Sequence, residues 1–383
     1  MRIVPFSLPL VRPFHTAHGV LRHRPGFAVQ MATTAGVIGC GEGSPLTAFG
    51  TESESSCARA LQVLAKALIG RVIDDDGLDA CLDLCEALAP EAPTARAAMD
   101  MALHDLLARR HGVSVAALLA QRAVGADCSL TDSRCHVRAR RVTVNAVIGG
   151  ADSEALARAV EEALAGGFGV LKLKLGTRAL KDDLAQLATI VAQCPQGARL
   201  RLDVNGRWSE EQALYALDVL RPWPIESLEQ PLPANDLAAM ARVRAQAGCV
   251  VALDEAIADA AALERAIALG AADRVVLKPA AVGGLRSAWR MAERARLAGL
   301  GVAVTSFIDS SIGVHAAWQF AAALPGELPP CGLATGMLLA HDLALPPALC
   351  GDQLGAVPEP GIGRVFDARC LQRARCGVEQ EYH

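Results

Sequence analysis

Long hydrophobic runs are missing from this 383-residue chain. Unbroken apolar stretches such as Val115 to Ala120 or Phe320 to Leu324 fall well short of the roughly 18 residues a membrane span requires. No block of like charge occurs either. The 37 Lys and Arg against 41 Asp and Glu leave a net charge of −4, and nothing in their spread suggests a nucleic-acid partner. The 12 cysteines include no CxxC pair, so in a chain of this size they read as buried reduced thiols rather than a disulfide framework. The opening segment MRIVPFSLPLVRPF is broken by prolines and has no continuous apolar core of an export signal. A cytoplasmic protein is the expectation, acting on a small molecule, with neither membrane nor nucleic acid as partner.

What is present is enough for about two domains, at 52% hydrophobic and 20% charged residues. From Val142 onward, apolar runs alternate with Ala-, Leu- and Arg-rich segments of helical period. Strands are predicted at 142–148, 170–175, 199–205, 225–231, 249–255, 274–280, 301–307 and 331–335. The segment SEALARAVEEALAGG, closed by Gly166 and Gly167, is a typical intervening helix with its stop. Eight strands and seven helices predict an α/β fold, a (β/α)7β TIM-like barrel over 140–336. Residues 1–135 differ: strands with turns over 1–40, a hairpin in GFAVQMATTAGVIGCGEG, then helices near 53–70, 77–88, 93–111 and 113–121. That is an α+β capping unit, joined through a linker at 129–141 and completed by 340–383.

Five charges keep step with the barrel. Lys174, Asp203, Glu229, Asp254 and Lys278 are 29, 26, 25 and 24 residues apart, and each closes an apolar run: VLKLKL, RLRLDVN, IESLEQP, VVALDE and RVVLKP. A strand, a helix and two loops take roughly 25–30 residues, and strand ends form the catalytic face of such barrels. Asp203, Glu229 and Asp254 would then converge from neighbouring strands. Three oxygen ligands with room for water and substrate describe a hard divalent cation site, with Mg²⁺ the expected occupant and Mn²⁺ a substitute. No His or Cys stands at these strand ends, which disfavours zinc.

Lys172 and Lys174, at i and i+2, share one face of strand two; Lys278 ends strand six, across an eight-strand ring. A carboxylate substrate on the metal would have a lysine over each side. Such an arrangement suits removal of a proton α to a carboxylate, because the metal stabilises the enediolate. The nearby positive charges should depress a lysine's pKa and make it a usable base. His104, His315 and His341 are weaker candidates for acid–base work, and Trp208 and Trp223 for pocket walls.

LKLKLG, DVNGRW, LEQPL, LDEA and LKPAAVGG together resemble the motifs of the enolase superfamily in its muconate-lactonising branch, and the likeness covers almost the whole chain. The resemblance implies Lys174 as principal base, Lys172 as electrostatic helper and Lys278 as partner across the site. It also implies a capping domain with two loops over the substrate. FHTAHGV, with Thr16 and His18, resembles the mobile loop; GEGSPLTAFGTES resembles the second, around Gly43 to Thr51. Asn205, Ser306 and Asp309 are further expected substrate contacts.

GEGSPLTAFGTES, LKPAAVGG and TSFIDSSIGVHAAWQFAAAL are most similar to o-succinylbenzoate synthases, which dehydrate a cyclohexadiene carboxylate. Relatives with the same lysines and metal racemise N-acylamino acids, epimerise dipeptides or cycloisomerise muconate. Two departures stand out. Asp309 replaces a Glu common before the double serine. CGLATG on strand eight lacks both the DxD of dipeptide epimerases and the acid typical of cycloisomerases. The expectation is thus a lyase, with an N-acylamino acid racemase or cycloisomerase-type isomerase as alternative. A non-catalytic metal-binding scaffold would show by a lost ligand or base, and all five are present. Homo-oligomers are compatible with the apolar helices.

Overall fold

The computed structural model describes residues 1–16, 19–124, 141–149, 153–195, 197–355, 360–363, 368–377 and 379–382. The N-terminal unit starts with an antiparallel meander, β1 (Arg2–Thr16), β2 (Gly19–Ala32) and β3 (Ile38–Gly43). Four helices follow: α1 (Glu54–Leu68), α2 (Asp75–Leu88), α3 (Pro93–His111) and α4 (Val115–Val124). These match the predicted helices to within a few residues. The linker expected at 129–141 lies outside the described residues, apart from Arg141.

Glycine decides how this unit packs. Gly39, Gly41 and Gly43 alternate along β3, so they share one face. A Cβ at Gly39 would stand 2.2 Å from the Ala102 carbonyl oxygen, and one at Gly41 only 2.0 Å from that of Ala98. The Ala-rich helix α3 can therefore lie directly on the strand backbone. The opposite face of β3 carries Glu42 toward the second unit.

That unit is the barrel. Its parallel strands are β5 (Ala146–Ile148), β6 (Val170–Lys174), β7 (Arg199–Asp203), β8 (Ile225–Glu229), β9 (Val250–Leu253), β10 (Arg274–Leu277) and β11 (Gly301–Val304), paired in sequence order. The helices between and after them are α5 (Ser153–Ala165), α6 (Leu180–Gln193), α7 (Glu210–Leu220), α8 (Leu237–Gln246), α9 (Ala260–Leu269), α10 (Leu285–Leu297) and α11 (Ser311–Ala323). Side-chain caps start several of them: Ser209 forms a full capping box with Gln212, while Asp236 and Asp259 bond the N–H three residues on.

Two expected strands differ. The run 142–148 is divided: Val142–Thr143 forms β4, which pairs outside the barrel, and only β5 joins the ring. The eighth, 331–335, forms no strand. Cys331 bridges Val144 and Gly332 bridges Thr305, so two residues close the ring between first and seventh positions. A segment flanked by Pro329, Pro330 and a 3-10 turn at Ala334–Leu338 has too few free N–H groups for a longer ladder.

The C-terminal segment touches both units. β12 (Leu349–Cys350) and β13 (Gln353–Leu354) add to β4, whereas β14 (Gln380–Glu381), after α12 (Ala368–Ala374), pairs with β1. One continuous apolar core runs through the cap and the barrel wall.

Candidate active site

The carboxylates and lysines singled out from the sequence meet at the strand ends. Parallel register places Lys174 beside Asp203 and Asp203 beside Glu229. Lys172 Nζ lies 2.9 Å from Asp203 Oδ2 and 2.7 Å from Glu229 Oε1. Lys174 Nζ donates to Asp203 Oδ2 at 3.1 Å and to Asn205 Oδ1 at 2.9 Å. Lys278 Nζ grips both oxygens of Asp254, at 2.5 and 2.7 Å. Lys174 is the most open of the three, its side chain 24% exposed against 13% and 15%, so it is the ammonium a ligand reaches most easily.

Burial sets the electrostatics. Asp203, Glu229 and Asp254 are 1%, 1% and 7% exposed. Burial pushes Asp203 up, but two lysines more than reverse this and hold it below the usual carboxylate range. Glu229 is pushed up by burial, with Lys172 opposing and the neighbouring acids adding to the rise. Asp254 is likewise raised by burial, with Lys278 opposing and Glu255 adding. The contrast follows the direct contacts: two ammoniums touch Asp203, whereas one touches Glu229 and one touches Asp254.

Burial pulls Lys172 and Lys278 down, yet the surrounding carboxylates prevail and raise them above the ordinary lysine value. Depression of a lysine therefore does not come from the protein's own charges, which work the other way at these two positions.

The backbone is strained where the site is built. The non-glycine residues with positive φ among those described are Asn205 (49°), Gln230 (40°) and Ile308 (56°), each just beyond a barrel strand. A β-branched residue in this region is a marked outlier, and such strain collects at functional sites. Gln230 explains its own: its side-chain oxygen accepts from Asp254 N and Ala256 N, and its amide donates to Leu232 O. It locks the end of β8 to the start of the Asp254 loop. Asn205 donates through Nδ2 to Glu255 Oε1 at 2.7 Å, so Lys174, Asn205 and Glu255 form a chain of contacts.

The other expected substrate contacts separate. Ser306 shares a hydrogen bond with Thr335 at 2.6 Å, buried behind strand seven. Asp309 is 2% exposed and its Oδ2 accepts from Phe307 N. Burial, reinforced by Glu42 and opposed by Arg24, pushes its pKa up to about 7. Thr16 ends β1 with its side chain outside the described residues; His18 lies outside them altogether. His104 bonds the Asp100 carbonyl and His315 that of Leu345, in buried structural positions. Trp208 is core, and Trp223 packs against it.

Residues not singled out from the sequence hold the cap to this end of the barrel. Arg24 of β2 is fully buried and donates to the carbonyls of Ser44, Pro45, Phe307 and Ile308. Glu42 accepts from Ser310 N, Ser310 Oγ and Gly313 N at the start of α11. Asp100 of α3 accepts from Leu285 N and Arg286 N at the start of α10. Each carboxylate satisfies orphan N–H groups at a helix N-terminus. A Gly-flanked Glu in a strand and an Asp within a helix carry no local mark of that role. Phe307 adds an aromatic face 5.8 Å from Lys278 Nζ and meets Phe49 of the cap edge-on.

Among the described residues, no group of three or more His, Cys, Asp or Glu gathers tightly enough to hold a metal ion as it stands, since Asp203, Glu229 and Asp254 each face an ammonium. The donor set itself fits a hard divalent cation: three buried carboxylates from adjacent strands, all oxygen. Burial, with the neighbouring acids adding to it, pushes Glu229 and Asp254 up, and added positive charge would offset both effects.

Comparison with known proteins agrees with this fold. Residues 155–369 match the model for "Enolase C-terminal domain-like" and residues 1–120 that for "Mandelate racemase / muconate lactonizing enzyme, N-terminal domain". An N-succinyl-L-Arg/Lys racemase of Bacillus cereus is 29% identical over 82% of this chain and 81% of its own. An o-succinylbenzoate synthase of Desulfotalea psychrophila is 29% identical over 90% and 95%. Muconate cycloisomerase 1 of Rhodococcus opacus is 31% identical over 93% and 92%. The crystal structure of the Bacillus cereus racemase superposes with a TM-score of 0.88 at 25% identity, covering 99% of this chain and 98% of that one. With both domains matched in order, the chain belongs to the enolase superfamily and is one of its lyases or isomerases.

Proposed function

We propose that the protein removes a proton α to a substrate carboxylate and dehydrates a cyclohexadiene carboxylate to o-succinylbenzoate. Asp203, Glu229 and Asp254 would hold Mg²⁺, or Mn²⁺ in its place. Such an ion, when bound, would supply positive charge where the substrate carboxylate gathers negative charge as its α-proton leaves. Lys174, the most accessible ammonium, is the base once deprotonated, and its bond to Asn205 aims it. Lys172, between Asp203 and Glu229, keeps those acids in register. Loss of the ring hydroxyl, leaving as water with the abstracted proton, completes an aromatic ring. Thr16 and His18 would close over the substrate from the cap 1–135, completed by 340–383. Asn205, bonded to Lys174, would stand on the barrel side of the pocket, whereas Ser306 and Asp309 are buried away from it and would support the loop after strand seven.

The observation that carries dehydration over racemisation is the setting of Lys278. The face of Phe307 lies 5.8 Å from its Nζ, a setting that favours a lasting cation over a second base and that does not change when Asp254 turns to the ion. Dehydration needs one base and one stabilising cation; racemisation needs two groups that each exchange a proton. Purified protein given the cyclohexadiene carboxylate with Mg²⁺ should lose diene absorbance rapidly, and EDTA should stop it. No loss in protein that binds Mg²⁺ would overturn the dehydratase assignment.

The similarity to the N-succinyl-L-Arg/Lys racemase supports a second reading, 1,1-proton transfer on an N-acylamino acid. Solvent deuterium entering the α-position of recovered N-acylamino acids would establish it, and its absence across a broad panel would exclude it.

A further inference from the structure

The opposite end of the barrel, where the strands begin, holds a cavity of about 720 Å³, within the size range of small-molecule sites. Val170, Arg199, Arg274 and Gly301 line it, and each is the first residue of its strand. Arg199, Arg201 and Asp203 alternate along β7 and point to one side. Asp203 ends in the candidate active site; Arg199, four residues earlier, stands roughly 13 Å away at the other mouth. The two sites are separate.

Positive charge dominates this end. Arg199, Arg274 and Arg296 line the cavity with Glu226 and Glu327. Arg201 lies behind its floor and bonds two of the lining residues, Glu226 and Pro330. Four guanidiniums thus face two carboxylates. Glu226 reaches them through a bulge: Leu200 pairs with Ile225 but Arg201 with Ser227, leaving Glu226 as the extra residue. One carboxylate is shared between Arg201 Nε at 3.0 Å and Arg274 Nη1 at 2.5 Å. Burial pushes Glu226 up, but Arg201, Ser227 and Arg274 prevail and hold it at about 2.

Donors remain unanswered even so. Arg201 is 3% exposed and Asn145 1% exposed. Arg201 Nη1 donates to Asn145 Oδ1 and to Pro330 O, yet Arg201 Nη2 and Asn145 Nδ2 have no partner among the described residues. Both are donors, and buried donors without acceptors are costly. An apolar plug, the ordinary filling of a barrel base, would have left no such surplus of guanidinium.

We propose that this cavity binds a small multivalent oxyanion, a di- or tricarboxylate or a phosphate, between Arg199, Arg274 and Arg296, with Arg201 reinforcing the grip from behind. Guanidinium forks suit either oxyanion, bidentately. The site does not depend on the reaction assigned to the strand ends.

Calorimetric titration of the full-length protein with citrate, and separately with inorganic phosphate, tests it. Arg199 and Glu327 are exposed, so Arg199→Gln and Glu327→Gln should leave the fold intact, checked by circular dichroism. Saturable binding is expected, weakened about tenfold or more by Arg199→Gln and tightened about threefold by Glu327→Gln. Binding to citrate alone would identify a carboxylate ligand, and binding to phosphate alone a phosphate. The strand-end lysines also attract anions, so Lys174→Ala is titrated in parallel and should keep the wild-type affinity. No saturable binding of either anion up to about 10 mM, an unchanged affinity in Arg199→Gln, or its loss in Lys174→Ala would overturn the proposal.

Discussion

Replacing Asp309 by Asn should flatten the pH dependence of stability between about pH 4 and pH 7. Asp309 lies at the seam of cap and barrel, faced by Glu42 and Arg24 and with Lys278 nearby, and its pKa is about 7. In an unfolded chain it would be about 3.9. Below both values each state holds the proton and the residue has no linkage effect. Between them the unfolded chain has released the proton and the folded one has not. The folded state then binds more protons, so stability falls as pH rises, and above pH 7 the whole penalty is present. Three units at 1.36 kcal/mol each give about 4 kcal/mol as an upper size. Asn stays neutral at every pH, and its side-chain oxygen can still accept from Phe307 N, the bond Asp309 makes now. Urea unfolding at pH 4.5 and pH 8, followed by tryptophan fluorescence, reads the effect. Relative to wild type, the variant should gain up to about 3 kcal/mol on moving from the lower to the higher pH, part of the penalty being already present at pH 4.5. Parallel stability curves for the two proteins, or a variant that loses ground as pH rises, would refute the reasoning, because other titrating groups cancel in the difference.

Lys174→Ala should lower turnover by about three orders of magnitude or more while leaving Mg²⁺ affinity, measured by calorimetry, nearly unchanged. Dialysis against EDTA should abolish turnover, and added Mg²⁺ or Mn²⁺ should restore it, read by the same diene assay. Asp100→Ala should cost about 2–4 kcal/mol in urea unfolding, since the buried N–H groups of Leu285 and Arg286 lose their acceptor.

The site's membership was legible because two chemical rhythms coincide along the chain. Lys174, Asp203, Glu229, Asp254 and Lys278 recur once per strand–helix unit, and parallel register turns that spacing into adjacency without further information. The helices of the cap were legible for a similar reason: their caps and apolar periods are local. The eighth strand was not, because its place is filled by two single bridges that only a nearly closed ring can supply. The seam was equally hidden. Arg24, Glu42 and Asp100 are separated from their barrel partners by 185 to 284 residues, and nothing nearby marks them as buried charges. Lysine protonation also belongs to the tertiary structure, because three carboxylates around Lys172 outweigh a burial that alone would lower it. So too does the arginine-rich base: Arg199 and Arg201 of β7, Arg274 at the start of β10 and Arg296 of α10 read as ordinary surface charge until the closed barrel brings them together. Periodicity is a property of neighbours in sequence, and the sequence determined it; which distant charges share a dry, crowded volume is settled only when the ring closes.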